Sequence, residues 1–182
     1  MLKCFRACIM SKYIEQLQFS IDPKPFIDLW KTLPPMKQHN LKYREIDRGL
    51  SFEAMLGIGA GSLRNQTEIN RHEYTQHLFP LTKKLENQIY EYSGGDLQIN
   101  RIRFMDMSPI SCLSYHRDPD SIRYHIPLIT NEDAFFVVED QVERMTEVGS
   151  LYSLVTNVKH TAINASRDKN RLHLVFSTHF NK

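Results

Sequence analysis

The chain has 182 residues, 41% of them hydrophobic and 24% charged, which suits a globular protein with one substantial core. Lys and Arg total 23 against 21 Asp and Glu, and a net charge of +2 is too weak a bias to argue for nucleic acid or an anionic membrane as partner. No stretch approaches the roughly 20 apolar residues of a membrane-spanning helix.

Residues 1–10 hold basic residues without the continuous apolar run of a signal peptide, and read as a flexible leader. Cys4, Cys8 and Cys112 are too few and too badly spaced for a disulfide framework or a zinc site. A reduced, cytoplasmic setting is the simplest expectation.

Residues 13–21 alternate into Leu17, Phe19 and Ile21, the period of a strand. Asp22 then caps a helix with Pro23 at its first position. This helix carries Phe26, Leu29, Trp30 and Leu33 on one face and ends at Pro34-Pro35. Residues 36–72 read as loops with room for one hairpin. Gly57-Ile58-Gly59-Ala60-Gly61 lacks the order of a phosphate-cradling loop and is taken as an ordinary loop. A helix over 74–92 places Leu78, Leu81, Leu85, Ile89 and Tyr92 at spacings of three and four, and Gly94-Gly95 stop it.

From Asp96 the pattern changes to eight short strand-like runs: 96–107, 112–117, 121–129, 134–139, 141–146, 150–155, 158–164 and 170–178. Such a series without intervening helices predicts an antiparallel sandwich or barrel. The absence of a linker points to a single domain over 1–182, with helical and strand elements in 1–95 and a β core in 96–182.

The chemistry concentrates in Ser114–Pro127. His116 and Asp118 stand two residues apart, so at a strand end both would leave the same face. One imidazole and one carboxylate make two thirds of the facial triad that holds non-haem Fe(II). His160 lies 42 residues beyond Asp118, an interval that lets the chain run through several strands and return, and it is the natural third ligand. Alternation in 170–176 puts Arg171 and His173 on one face, opposite Leu172, Leu174 and Phe176. A guanidinium aimed into an apolar barrel requires an anion, and a dicarboxylate would meet it in a planar bidentate pair.

His116-Arg117-Asp118, Arg123-Tyr124-His125-Ile126-Pro127, Gly149-Ser150-Leu151, Asn157, His160, Asn164 and Arg171-Leu172-His173-Leu174 together resemble the aspartyl/asparaginyl β-hydroxylase-like family of Fe(II)- and 2-oxoglutarate-dependent oxygenases. That family includes bacterial cis-proline hydroxylases. The resemblance covers about residues 97–178. It implies an α+β, mainly β chain: a double-stranded β-helix, or cupin-like jelly roll, with N-terminal helices packed on the barrel. It implies iron on His116, Asp118 and His160, with Arg171 on the distal carboxylate of 2-oxoglutarate. His125 and Arg123 would line the cosubstrate pocket. Arg103 is either a second anion contact, to substrate or cosubstrate, or a solvated strand arginine. His173 reads as a support behind Arg171.

The implied reaction consumes Fe(II)-activated O2 and 2-oxoglutarate, releases succinate and CO2, and hydroxylates an unactivated C–H bond. The substrate would be a free amino acid, or a peptidyl Asp, Asn or Pro residue. Animal aspartyl/asparaginyl β-hydroxylases lack the carboxylate ligand, so Asp118 aligns this chain with the amino-acid hydroxylases and argues against halogenation. C–H cleavage needs no general base, and His39, His72, His77 and His179 read as surface or structural. Tyr43, Arg64 and Trp30 are candidates for shaping the substrate pocket. A different metal cupin (isomerase or hydrolase) and a non-catalytic β-barrel binding protein are the competing readings.

Overall fold

The computed structural model describes residues 11–32, 45–48, 75–119 and 121–180. Several expectations fall outside these: the leader with Cys4 and Cys8, the helix end at Leu33 to Pro35, the Gly57–Gly61 loop, and His39, Tyr43, Arg64 and His72. The side chains of His77, Leu78, Arg103 and His179 are also outside what is described.

The first strand, β1 (Ile14–Ser20), is followed by helix α1 (Lys24–Thr32). Asp22 caps α1 by accepting a hydrogen bond from the Lys24 N–H at 3.0 Å, so the helix starts one residue later than expected and Pro23 supplies its first carbonyl acceptor. Strand β2 (Glu45–Arg48) lies in the part of the chain read as loop or hairpin. Helix α2 (Thr75–Tyr92) follows. It ends in a Schellman motif: Gly95 N–H donates to Tyr90 O at 2.8 Å and Gly94 N–H to Glu91 O at 3.1 Å, both glycines having positive φ. Leu85 and Ile89 are buried, whereas Tyr92 is turned outward against Phe19.

The remaining strands are β3 (Leu97–Met107), β4 (Ser111–Cys112), β5 (Ile122–Ile129), β6 (Ala134–Val138), β7 (Gln141–Glu143), β8 (Ser150–Val155), β9 (His160–Asn164) and β10 (Arg171–Phe180). They form two antiparallel sheets. The larger runs β1-β8-β5-β10-β3-β2 and the smaller β4-β9-β6-β7. From β3 to β10 the chain crosses repeatedly between the sheets, which is the jelly-roll arrangement.

The large sheet has two buried faces. On one, Ile102, Phe104, Tyr124, Ile126, Leu151, Leu172, Leu174 and Phe176 join Phe26 of α1 and Leu85 and Ile89 of α2 in one apolar cluster. Trp30 is partly buried there and belongs to this packing. Each such side chain contributes roughly 1.5–3 kcal/mol when fully buried. The other face turns toward the small sheet, where Tyr13, Met107, Phe136, Val138, Met145, Tyr152, Leu154 and Ala162 make a second cluster. Because strand side chains alternate, the odd-numbered residues His125, Arg171, His173 and Val175 are delivered to this interior face.

Candidate metal centre and active site

The segment from Leu113 to Asp118 is not the strand that its sequence suggests. Regular pairing in β4 covers only Ser111–Cys112. Beyond it Leu113 N–H donates to Ala162 O at 2.9 Å, and His116 exchanges two backbone hydrogen bonds with His160, at 3.0 and 2.8 Å. Three steps along this segment therefore match two along β9, so one extra residue is accommodated and the alternation is interrupted. Asp118 N–H then donates to Thr156 O at 2.9 Å. Strand alternation thus does not bring His116 and Asp118 together. An irregular segment anchored to β9 and to the end of β8 does.

The three side chains converge. The candidate ligand atoms of His116, Asp118 and His160 all lie within 4.8 Å of one another. His116 Nε2 is 3.6 Å from Asp118 Oδ1, and His160 Nε2 is 3.7 Å from Asp118 Oδ2. Each imidazole is fixed through its other nitrogen: His116 Nδ1 is 2.6 Å from Ser114 O and His160 Nδ1 is 2.9 Å from Val158 O. A carbonyl can only accept, so Nδ1 carries the proton in both rings and each Nε2 keeps a lone pair. Burial pushes the His160 pKa down, opposed by its hydrogen bond to Val158 O, which favours the neutral, ligating form. Two neutral imidazoles and a carboxylate with three open positions suit Fe(II).

One pocket holds this trio together with Met105, Leu113, Arg123, His125, Phe136, Leu154, Thr156, Ala162, Arg171 and Val175. Arg123 Nε lies 2.7 Å from Asp118 Oδ2, an ion pair. His125 is buried, edge-on to Phe136 and to His173. Arg171 is buried with its guanidinium 4.6 Å from the centre of the Phe136 ring. It donates to Met107 Sδ at 3.1 Å and to His173 Nδ1 at 3.2 Å. No carboxylate among the described residues pairs with it, and desolvation pushes its pKa down to about 9. An arginine held so deep in a pocket, with only neutral partners among the described residues, fits the distal carboxylate of 2-oxoglutarate.

The profile of the aspartyl/asparaginyl β-hydroxylase family matches residues 16–179. The chain belongs to the aspartyl/asparaginyl β-hydroxylase family. The match takes in β1 and both helices as well as the barrel, more than the region from 97 to 178 in which the motifs stand. This family member is therefore a hydroxylase of the Fe(II)- and 2-oxoglutarate-dependent oxygenases, requiring Fe(II), 2-oxoglutarate and O2. Among solved structures, the hydroxylase is similar to an oxidoreductase of the 2OG-Fe(II) oxygenase family from Burkholderia pseudomallei. Their TM-score is 0.58 at 19% identity, over 85% of this chain and 75% of that one. It is also similar to AviO1 from Streptomyces viridochromogenes, with a TM-score of 0.52 at 9% identity, over 93% of this chain and 90% of that one. These likenesses show the shared fold. No curated protein sequence matches the chain. None of the described helices is long and apolar enough to cross a membrane.

Sequence reasoning did not find the ion pair between Arg123 and Asp118 or the structural part played by Asn164. Asn164 is fully buried, and its Nδ2 lies within 3.1 Å of the carbonyls of Met107, Ser108 and Lys169. It ties β9 to the ends of β3 and of the turn before β10. An asparagine between a buried strand and an Ala-Ser-Arg-Asp turn was the available signal. Arg103 lies in β3 opposite Val175.

Proposed function

We propose that His116, Asp118 and His160 hold Fe(II), that Arg171 holds the distal carboxylate of 2-oxoglutarate, and that the substrate is an amino acid or a peptidyl Asp, Asn or Pro residue. The observation that carries this reading is the buried Arg171, which shares one pocket with the three converging ligand atoms. A hydrolase or isomerase on this barrel has no need for a carboxylate clamp at that depth. His125 and Arg123 stand in the same pocket, and Arg103 is a further candidate for an anion contact.

When bound, Fe(II) with 2-oxoglutarate supplies the O2 activation and oxidising power that the side chains lack. The chain's own residues position and shield. The hydrogen bonds to Ser114 O and Val158 O keep both imidazoles in the ligating tautomer. Arg171 fixes the far end of the cosubstrate, so its 2-oxo acid end is presented toward the trio. Phe136, Leu154, Ala162 and Val175 give the pocket apolar walls, which limits water beside the reacting groups. The N-terminal helices share an apolar cluster with the barrel sheet, which supports reading the whole chain as one folding unit. The exposed thiol of Cys112 agrees with a reducing, cytoplasmic setting.

The test is a screen of free amino acids and short peptides with the Fe(II)-loaded protein, ascorbate, O2 and 2-oxoglutarate, scoring succinate release and a mass gain of one oxygen in the substrate. Turnover with one compound class, abolished in His116→Ala, is expected. Full turnover in His116→Ala would contradict the assignment.

A further inference from the structure

The two oxygens of Asp118 are not equivalent, and the difference originates in β5. Oδ1 lies 3.6 Å from His116 Nε2 and Oδ2 lies 3.7 Å from His160 Nε2, so the distances alone favour neither oxygen as a metal donor. Arg123 breaks the tie, because its Nε is 2.7 Å from Oδ2. An ion pair at that distance places the guanidinium charge against Oδ2 and restrains the carboxylate. Both partners are largely removed from solvent, with side-chain exposures of 16% and 14%, so the ion pair is little screened by water.

The backbone explains why such a device is useful here. Asp118 sits in the irregular segment between β4 and β5, where a backbone bond from its N–H to Thr156 O anchors it. A carboxylate on a loop is free to rotate about two side-chain bonds. Arg123, by contrast, is one residue inside β5, where it is paired opposite Leu154 of β8. The strand therefore lends its rigidity to a ligand that the loop alone would leave mobile.

Resting on the assignment of the trio as metal ligands, we infer that Arg123 is a positioning residue that ties off Asp118 Oδ2 and leaves Oδ1 to ligate the metal. A carboxylate held this way donates one oxygen. Three protein donors then leave three positions open on an octahedral ion, of which a 2-oxo acid needs two. A carboxylate free to bind through both oxygens would take one of those three. Arg123 thereby also keeps Asp118 neutralised and in place before the metal arrives. Its positive charge opposes the incoming cation, and the inference requires that the positioning effect outweigh this repulsion. Outer partners of ligating carboxylates commonly contribute about 10–100-fold to metal affinity.

The experiment is a set of titrations of full-length metal-free protein with Mn(II), followed by electron paramagnetic resonance of free Mn(II), together with Co(II) titrations read by visible absorption. Wild type, Arg123→Met, Arg123→Lys, Asp118→Gly and the Arg123→Met/Asp118→Gly double variant are compared. Mn(II) binding by wild type, lost in His160→Ala, establishes the site itself. Its absence sinks both the site and this inference. Given that binding, Arg123→Met is expected to weaken Mn(II) affinity about tenfold or more and to alter the Co(II) band shape that reports coordination number. Arg123→Lys should recover part of the affinity, since it keeps the charge but not the planar guanidinium. In the Asp118→Gly background, Arg123→Met should cause no further loss. Arg123→Met binding Mn(II) within threefold of wild type, or the same fold loss with and without Asp118, overturns the inference while leaving the ligand assignment standing. If Arg123→Met does not fold, as judged by circular dichroism, Arg123→Lys decides, and wild-type affinity with an unchanged Co(II) spectrum overturns it.

Discussion

Arg171 is the residue on which the cosubstrate assignment turns. Its buried guanidinium touches a thioether, a neutral imidazole and the face of an aromatic ring, none of which neutralises it. Removing one partner of a buried charged hydrogen-bond pair costs about 2–5 kcal/mol. Arg171→Met should therefore weaken 2-oxoglutarate binding to the metal-loaded protein by about 30-fold or more, measured by calorimetry, while Mn(II) affinity is unchanged. His173 stands against Arg171, its Nδ1 3.2 Å from the guanidinium. Arg171 can only donate to it, so His173 Nδ1 accepts and Nε2 carries the proton, buried and with no partner among the described residues. Burial, reinforced by Arg171 and His125, lowers the His173 pKa well below the usual histidine value. Below pH 6.5 the unfolded chain takes up a proton that folded His173 refuses. The stability present above that pH is accordingly lost as pH falls. This site should remove about 1 kcal/mol between pH 6.5 and 5.5. Urea unfolding of metal-free protein across that interval checks it: His173→Gln should show a shallower pH dependence than wild type, and an identical slope would refute the reading.

At the scale of elements, the alternation in β10 was legible because nothing interrupts it. Arg171 and His173 face inward and Leu172, Leu174 and Phe176 face the helices, as the sequence pattern predicts. β3 hides a more complicated pattern. Leu97 and Ile99 join the same cluster as Ile102 and Phe104, although a change from odd to even positions should send them to opposite faces. The pairing with β10 shifts between Ser177 and Thr178, skipping Asn100, and this bulge restores the face. The break between Leu113 and His116 belongs to the same class. A local pattern cannot reveal it, because the extra residue is defined only against a partner strand.

Two other positions show what connects the elements. Gly149 has φ +83°, accepts from Ile21 N–H and donates to Pro127 O. A Cβ there would meet Ile21 O at 2.5 Å. Gly149→Ala should cost about 2 kcal/mol or more from backbone strain and overlap combined, read as a fall in the urea midpoint at constant slope. Asn164→Ala removes the amide that serves three carbonyls, at the end of β3 and in the turn before β10, and each buried acceptor left unsatisfied costs about 1–3 kcal/mol. A variant as stable as wild type would show that water replaces the amide.

Across the whole molecule, the site is assembled from segments far apart in the chain. His116 and Asp118 precede β5, His160 opens β9 and Arg171 opens β10. The convergence of the proposed ligands was legible because the jelly roll returns the chain to its starting point, and because histidine, carboxylate and buried arginine have few other reasons to share an interior. The substrate was not legible, since it depends on which surfaces close the mouth of the barrel, and no residue pattern in the first half encodes that closure. Tyr43 and Arg64 lie outside the described residues, and Trp30 packs under α1 away from the pocket lining.

Under the proposed function, one pocket holds a metal on His116, Asp118 and His160 and a dicarboxylate on Arg171 at the same time. Calorimetric titration of 2-oxoglutarate into protein with and without Mn(II) tests it most directly. One molecule should bind per chain, tightly only when Mn(II) is present, with binding lost in His160→Ala and severely weakened in Arg171→Met. Equal binding after removal of the metal by chelation, or undiminished binding in Arg171→Met, would contradict it.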